Sequence, residues 1–329
     1  MKQTKKLLLT FDYEPFLGAR TGTAAKCMLE PTEAVLQIMN KYNAKGVFFV
    51  DVLYMLNLKK HSELFKDTNA IGAQLNKLHT EGHYVFPHIH PHWLDAEYNK
   101  ETGQFALNNL SRYSLAKLQT AEAAKLFTDA LDYLKEIGIS YGDWGYRAGG
   151  WCIQPFSRYK DVFEKEHMAY DMSVLPGYKN LHPDQTFDFS RVKNRKPYRF
   201  TDVVETEVAN GKFVELPVST IEIGGLAKTK DNLLRKYLWR TGDKGWGDGA
   251  GAQTAALKVN LYNNEMISIE LLTSAKLNSY KRYIDREDYM HWISHPKMLT
   301  RHGLSMFGKF MEYAADKYEA VYDFHKMLP

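Results

Sequence analysis

Short, almost wholly apolar segments alternate with helix-length amphipathic ones through the first half of this chain. That alternation restricts the fold more than any other feature. Lys6 to Phe11 is a compact apolar run. Pro31 then opens a helix with Ala34, Val35, Ile38 and Met39 on one face, and Gly46 lies just past its end. Val47-Phe48-Phe49-Val50 contains no polar residue, as befits a parallel strand covered on both faces. Ile71 to Leu78 reads as a helix ending near Gly82, and Tyr84-Val85-Phe86 as a third strand. Ser114, a good N-cap, starts a long helix reaching about Gly138, with Leu115, Leu118, Leu126, Ala130 and Leu134 near one face. Strand-like Trp144 to Tyr146, a helix near Arg158 to His167 and the strand Tyr170 to Val174 continue the pattern. Units of this length predict an α/β fold with a parallel sheet, open or closed into a barrel.

The second half is less regular. Thr201 to Val208 and Lys212 to Leu216 read as β-hairpin material around Asn210-Gly211. An insertion spans about 224–264, and its glycine-rich stretch from Gly242 to Gly251 reads as a mobile, lid-like loop. No Gly-Lys-Ser/Thr opens a helix there, so it is not a phosphate-binding loop. Leu304 to Met327 reads as a covering helix. No repeat or linker divides residues 1–329, which read as one catalytic domain.

A net charge of +4 and the lack of a basic run argue against a nucleic-acid partner. No stretch approaches the ~18–20 apolar residues of a membrane span. Leu7-Leu8-Leu9 is too short for a signal-peptide core, so the expected location is the cytoplasm. Two cysteines, Cys27 and Cys152, do not make a disulfide framework.

In such folds the functional groups gather at the carboxyl ends of strands. Five segments sit there. Thr10-Phe11-Asp12-Tyr13-Glu14 carries two carboxylates two residues apart, on one side of an extended chain. His88-Ile89-His90-Pro91-His92-Trp93 holds three of the twelve histidines. His88 and His92 share a face if the run is helical. If it is extended, His88, His90 and His92 all align, and Pro91 argues against a regular helix. Histidine is the commonest metal ligand, although a histidine cluster can also be packing. The remaining segments are Tyr146-Arg147-Ala148-Gly149-Gly150-Trp151, Tyr170-Asp171-Met172-Ser173-Val174 and Trp292-Ile293-Ser294-His295-Pro296.

The order and content of these segments resemble the polysaccharide deacetylase family, which includes peptidoglycan and chitooligosaccharide deacetylases. The resemblance rests on Thr10-Phe11-Asp12, His88 with His92, Arg147, Asp171-Met172-Ser173 and His295. Lys45-Gly46-Val47-Phe48-Phe49-Val50, Arg147-Ala148-Gly149-Gly150 and Glu215-Leu216-Pro217-Val218 support it. It covers about residues 6–320. The wording around Asp12 and His88 is similar to a subgroup tied to bacterial surface-polysaccharide (O-antigen) synthesis. The resemblance implies a distorted (β/α) barrel of about seven parallel strands with β-hairpin and lid-like insertions. It also implies a divalent metal, zinc before cobalt, nickel, manganese or iron, held by one carboxylate and two histidines.

On that resemblance Asp12 is the general base, His295 the general acid, Arg147 the residue holding Asp12, and Asp171 the residue orienting His295. Where the family has a second Asp this chain has Tyr13, so Glu14 becomes the carboxylate ligand with His88 and His92; Asp12 itself is the alternative. His90 either replaces His92 or lines the substrate pocket with Trp93, and Trp151 is a further pocket residue. The implied reaction is removal of an acetyl group from an N-acetylated sugar or its nucleotide- or lipid-linked precursor. Hydrolysis of another amide, or silent sugar binding on the same fold, are the alternatives.

Overall fold

The computed structural model describes residues 5–193, 195–251, 264–319 and 327. Eight strands form one curled path: β1 (Lys5–Tyr13), β2 (Val47–Asp51), β3 (Tyr84–Ile89), β4 (Trp144–Ala148), β5 (Met168–Asp171), β6 (Tyr198–Phe200), β7 (Phe213–Glu215) and β8 (Tyr289–Ser294). Their order is β6-β7-β5-β4-β3-β2-β1-β8, and a short strand, Tyr318–Glu319, also pairs with β1. All neighbours run parallel except β6 and β7. Seven parallel strands therefore make the distorted (β/α) barrel expected from the sequence, with hairpins inserted at Glu97–Ala106 and Lys179–Asp188.

The space between β7 and β8 is bridged by irregular chain. Ser219 N donates to His291 O (3.1 Å), Ile267 N to Ser219 O (2.9 Å) and Ile293 N to Ile267 O (3.0 Å). These bonds satisfy backbone groups that an open edge would leave unpaired.

The strands are apolar because helices cover their outer faces and side chains fill the inside. β1 is buried over seven consecutive residues and β2 over all five. The covering helices are α1 (Glu30–Lys41), α2 (Val52–Leu58), α3 (Phe65–Thr80), α4 (Thr120–Glu136), α5 (Lys160–Lys165), α7 (Leu277–Arg286) and α8 (Arg301–Ala314), while α6 (Gly225–Arg240) stays largely exposed. α8 buries Leu304, Met306, Phe307, Phe310 and Met311. No helix among the described residues is long and apolar enough to cross a membrane.

Several elements differ from the sequence reading. Ser114 caps a 3₁₀ turn, Leu115–Lys117, rather than a long helix. Leu118 and Gln119 are extended, so α4 starts only at Thr120. The hairpin around Asn210-Gly211 pairs Tyr198–Phe200 with Phe213–Glu215, so the whole of the expected first strand lies in the connection. The expected final helix stops at Ala314; residues 320–326 lie outside the described ones.

The expected mobile loop is the largest difference. Trp246 N donates to Leu299 O (3.0 Å), Gly247 N to Lys297 O (2.8 Å), and Ala250 N to Arg20 O (2.7 Å). Asp248 accepts from Thr23 N (2.8 Å) and Thr23 Oγ1 (3.0 Å). A Cβ on Gly247 would sit 2.5 Å from the Phe16 ring. Gly247 and Gly249 are glycine because the chain packs this closely on Phe16 and Thr21. Residues 252–263 of the insertion lie outside the described ones.

Candidate metal centre and acid–base pairs

Strand register assembles the site. Asp51 of β2 pairs with His88 of β3, His88 with Arg147 of β4, and Tyr146 with Asp171 of β5. On the other side, Phe11 of β1 pairs with Ser294 of β8, which brings Asp12 and Glu14 close to His295.

Three donors converge there. Glu14 Oε2 lies 3.2 Å from His88 Nε2 and 2.8 Å from His90 Nε2, and the two ring nitrogens are 3.0 Å apart. All three residues are buried. The expected pair was His88 with His92; the structure brings His90 to this point instead. Backbone geometry explains why. β3 stays extended through His90 (φ −110°, ψ 96°), so residues 88 and 90 share a face. A 3₁₀ turn then starts at Pro91 and carries His92 away. The His92 ring stacks on Tyr113 at 5.0 Å, and neither of its nitrogens has a hydrogen-bond partner. Burial first, then His90, pushes it down to about 3.

The paired glycines make room for this arrangement. A Cβ on Gly149 would sit 2.4 Å from Ile89 O and 2.8 Å from His90 Nδ1. Gly150 (φ +58°) would strike Tyr113 at 2.4 Å.

The donor set suits a cation. His88 Nδ1 lies 2.7 Å from the Arg147 carbonyl oxygen, a bond it makes as donor. That tautomer turns the Nε2 lone pair toward Glu14. Glu14 Oε2 has no hydrogen-bond donor of its own in the structure. Burial opposes charge on every group here; it prevails at His90, whose ring is pushed below its ordinary value, but not at Glu14 or His88. Lys297 and His90 hold Glu14 well below the usual carboxylate range. Burial disfavours a charged His88, but Asp12 and Glu14 outweigh it and raise the ring to about 9. A buried pocket that retains anionic carboxylates demands positive charge, from a proton or from a metal competing with it. One carboxylate oxygen and two imidazole nitrogens are a zinc-type, three-ligand set.

Two ion pairs flank the donors. Arg147, fully buried, bonds Asp12 Oδ1 (Nη1, 2.7 Å), Thr10 Oγ1 (Nη2, 2.8 Å), His291 Nε2 (Nη2, 2.9 Å) and Met172 O (Nε, 3.0 Å). Burial would raise Asp12, but Arg147, with His88 and His295, brings it below its ordinary value. His291 is neutral in this setting. Its Nδ1 faces the Leu216 carbonyl (3.0 Å), and burial and Arg147 depress it strongly. It accepts from Arg147 and so helps to aim the guanidinium at Asp12.

The second pair is His295 with Glu270. His295 Nδ1 lies 2.9 Å from Glu270 Oε1, and the His295 backbone N donates to Glu270 Oε2 (3.1 Å). His295 Nε2 faces inward, 3.6 Å from Asp12 Oδ2 and 3.9 Å from Glu14 Oε1. Burial disfavours its charge, but Glu270, Asp12 and Glu14 raise it above the ordinary value. Asp171, the partner expected from the sequence, is not in contact with His295. Its carboxylate accepts from Ser173 Oγ (2.8 Å) and Ser173 N (3.1 Å) and abuts Glu215. Asp171 ends β5, beside β4 and β7, and its carboxylate is occupied by Ser173 and Glu215.

Trp93, expected at the pocket, is fully buried between Tyr54 and Phe105 and donates its Nε1 to Asp51. Trp151 is half-buried, its ring 5.9 Å from the Arg147 guanidinium carbon.

The sequence reading missed Asp51, Glu215, Glu270, His291 and Lys297. Lys297 donates from Nζ to Glu14 Oε1 (2.7 Å) and Pro15 O (2.6 Å). Burial first, then Glu14, raises Asp51 to about 8. A single charge ending an apolar run was the available signal: Asp51 after Val47–Val50, Glu215 after Phe213-Val214, Glu270 after Ile267-Ser268-Ile269.

No sequence-family model matches the chain, and no curated protein matches its sequence. Solved structures do resemble it. A Mycobacterium smegmatis protein assigned to the polysaccharide deacetylases superposes with a TM-score of 0.50 at 14% identity, over 96% of this chain and 85% of that one. The polysaccharide deacetylase Bc1974 of Bacillus cereus gives 0.42 at 13% identity, over 99% and 95%. The peptidoglycan deacetylase PdaC of Bacillus subtilis gives 0.29 at 19% identity, over 51% and 58%. The first of these likenesses, spanning nearly the whole chain, identifies the architecture: the chain has the polysaccharide deacetylase fold.

Proposed function

We propose that this chain is a metal-dependent hydrolase that removes the acetyl group from an N-acetylated sugar during surface-polysaccharide synthesis. The observation that carries the reading is one rim holding a Glu14–His88–His90 donor set between a cation-paired carboxylate and a carboxylate-paired imidazole. Asp171, His92 and Trp93 take no direct part in it. In this reading Asp12, held through Oδ1 by Arg147 and with Oδ2 3.9 Å from His88 Nε2, serves proton transfer rather than ligation.

A divalent metal, zinc first, held by Glu14, His88 and His90, supplies Lewis acidity for the amide carbonyl and acidifies water. The chain's own groups supply the proton transfers. Arg147 fixes Asp12 Oδ1 and leaves Oδ2 to accept a proton from the attacking water. His295, kept charged by Glu270, gives its Nε2 proton to the sugar nitrogen as the carbon–nitrogen bond breaks. An amine leaves poorly unless protonated, so the acid matters as much as the base. Trp151, half-buried with its ring 5.9 Å from the Arg147 guanidinium carbon, is the aromatic we assign to the sugar ring. The substrate class we assign is an N-acetylated sugar or its nucleotide- or lipid-linked precursor.

The test is acetate release by the purified, zinc-loaded protein from free and nucleotide-linked N-acetyl sugars, with formate and ammonia followed in parallel. Metal-dependent acetate release that disappears in Asp12→Asn supports the reading. Formate or ammonia in its place moves the assignment to another amide. No release at all, with wild type and His88→Ala binding metal equally, overturns it.

A further inference from the structure

α6 is the least buried long helix among the described residues. Asp231 is its only buried residue, whereas α8 buries half its length. Its outer face is not the polar surface that such exposure calls for. Leu226 is 84% exposed, Leu233 64%, Tyr237 63% and Trp239 63%. Elsewhere among the described residues, large apolar side chains this exposed are scattered singly. Leu226, Leu233 and Tyr237 follow a spacing of seven and four, so they form one stripe along the helix.

Cations border that stripe. Lys230, Lys236 and Arg240 are exposed beside it, and Lys244 just past the helix lies over the Trp239 ring at 4.8 Å. Asp231, the only carboxylate of the helix, points inward. It is held by Lys276 Nζ (3.0 Å), Arg235 Nε (3.0 Å) and Thr273 Oγ1 (2.6 Å). Asp243, past the C-terminus, accepts from the backbone N–H groups of Arg301 and His302. The exposed Glu222 precedes the helix. The solvent side of α6 therefore combines an aliphatic–aromatic stripe with unopposed positive charge.

We infer that α6 docks the protein on the surface of an anionic lipid bilayer. A helix with Leu226, Leu233 and Tyr237 on one face and Lys230, Lys236 and Arg240 at its edges lies in the headgroup plane, its apolar stripe in the acyl boundary and its cations on lipid phosphates. A second copy of the chain fits less well. A two-fold contact through this face would set Lys230, Lys236 and Arg240 against like charges. The inference stands independently of the reaction, because it is measured without substrate.

The experiment is co-sedimentation of the full chain with phosphatidylcholine vesicles, with and without phosphatidylglycerol. Binding to the anionic vesicles alone, weakened by salt, is expected. Lys230→Gln, Lys236→Gln and Arg240→Gln together should weaken it about 100-fold, at roughly fivefold per cation near such a surface. Leu226→Asp with Leu233→Asp should abolish it. Leu181→Asp, at an equally exposed site elsewhere, should change nothing. All altered side chains are solvent-exposed, and unchanged circular dichroism and melting confirm folding. Absence of wild-type binding at low salt overturns the inference, as does equal binding by the Leu226→Asp, Leu233→Asp variant. A dimer that this variant dissociates, without vesicle binding, also overturns it and makes the face a subunit contact.

Discussion

Arg147 stands between two pairs of buried carboxylates whose affinities for protons move in opposite directions. On one side Asp12 and Glu14 fall below their ordinary values. On the other, Asp171 rises and Glu215 rises far more. All four are buried, and burial alone pushes every carboxyl up. Contacts decide the difference. Asp12 touches a guanidinium and Glu14 an ammonium, each at 2.7 Å. Asp171 and Glu215 are held by the Ser173 hydroxyl, the Ser173 and Val174 backbone N–H groups and each other. Cations are thus concentrated where anions must persist. The Asp171–Glu215 pair, facing across adjacent strands, joins β5 to β7 through a retained proton.

Losing a ligand of the anionic set should have the largest effect. Glu14→Gln and His90→Ala are expected to lower zinc affinity by more than the roughly 10–100-fold typical of a lost supporting contact. Equilibrium dialysis with metal analysis reads this directly. His92→Ala should retain full stoichiometry and lose only packing on Tyr113, about 0.5–3 kcal/mol in a denaturant melt. If His92→Ala loses the metal and His90→Ala keeps it, the donor set is wrong.

Next come the acid–base groups. Asp12→Asn and His295→Gln should lower kcat by about 10²–10⁴-fold while metal stays bound. Glu270→Gln makes a subtler test of the His295–Glu270 pair. Glu270 favours the charged ring, so its neutralisation lowers the pKa of His295, and the alkaline limb of kcat/KM moves to lower pH. A limb that stays in place would detach His295 from that limb, and Asp171→Asn would then deserve the same measurement.

The sequence disclosed different things with different clarity. Apolar runs such as Val47–Val50 made the parallel sheet readable, because core burial writes itself into every residue of a strand, while its closing into a barrel was implied only by the resemblance to the deacetylases. Asp12, Glu14, His88, Arg147 and His295 were readable as strand-end polar residues. The choice between His90 and His92 was not, because it depends on where extended backbone gives way to the turn at Pro91, one residue from either reading. Partners such as Glu270 and Lys297 were hidden for another reason. They come from irregular chain whose position is fixed by bonds to β8 and Leu299 rather than by any local pattern.

The protonated pair supplies the test with the least effect on catalysis and a definite sign. Burial, then the Asp171 charge, lifts Glu215 well above a glutamate in unfolded chain, near 4.3. Above about pH 4.3 the unfolded state releases this proton while the folded state keeps it. The folded state then binds more protons, so stability falls with rising pH, by about 1.4 kcal/mol per unit while Glu215 remains protonated. Glu215→Gln has no proton to release, and its amide N–H can donate to Asp171 in place of the acid. Wild type and variant should match near pH 4, and the variant should gain on wild type in urea melts taken at successively higher pH. Activity at neutral pH should change little, since the pair touches neither the donor set nor His295. Parallel loss of stability in both proteins would mean that Glu215 ionises on folding like the acids across Arg147, and the contrast between the two pairs would fail.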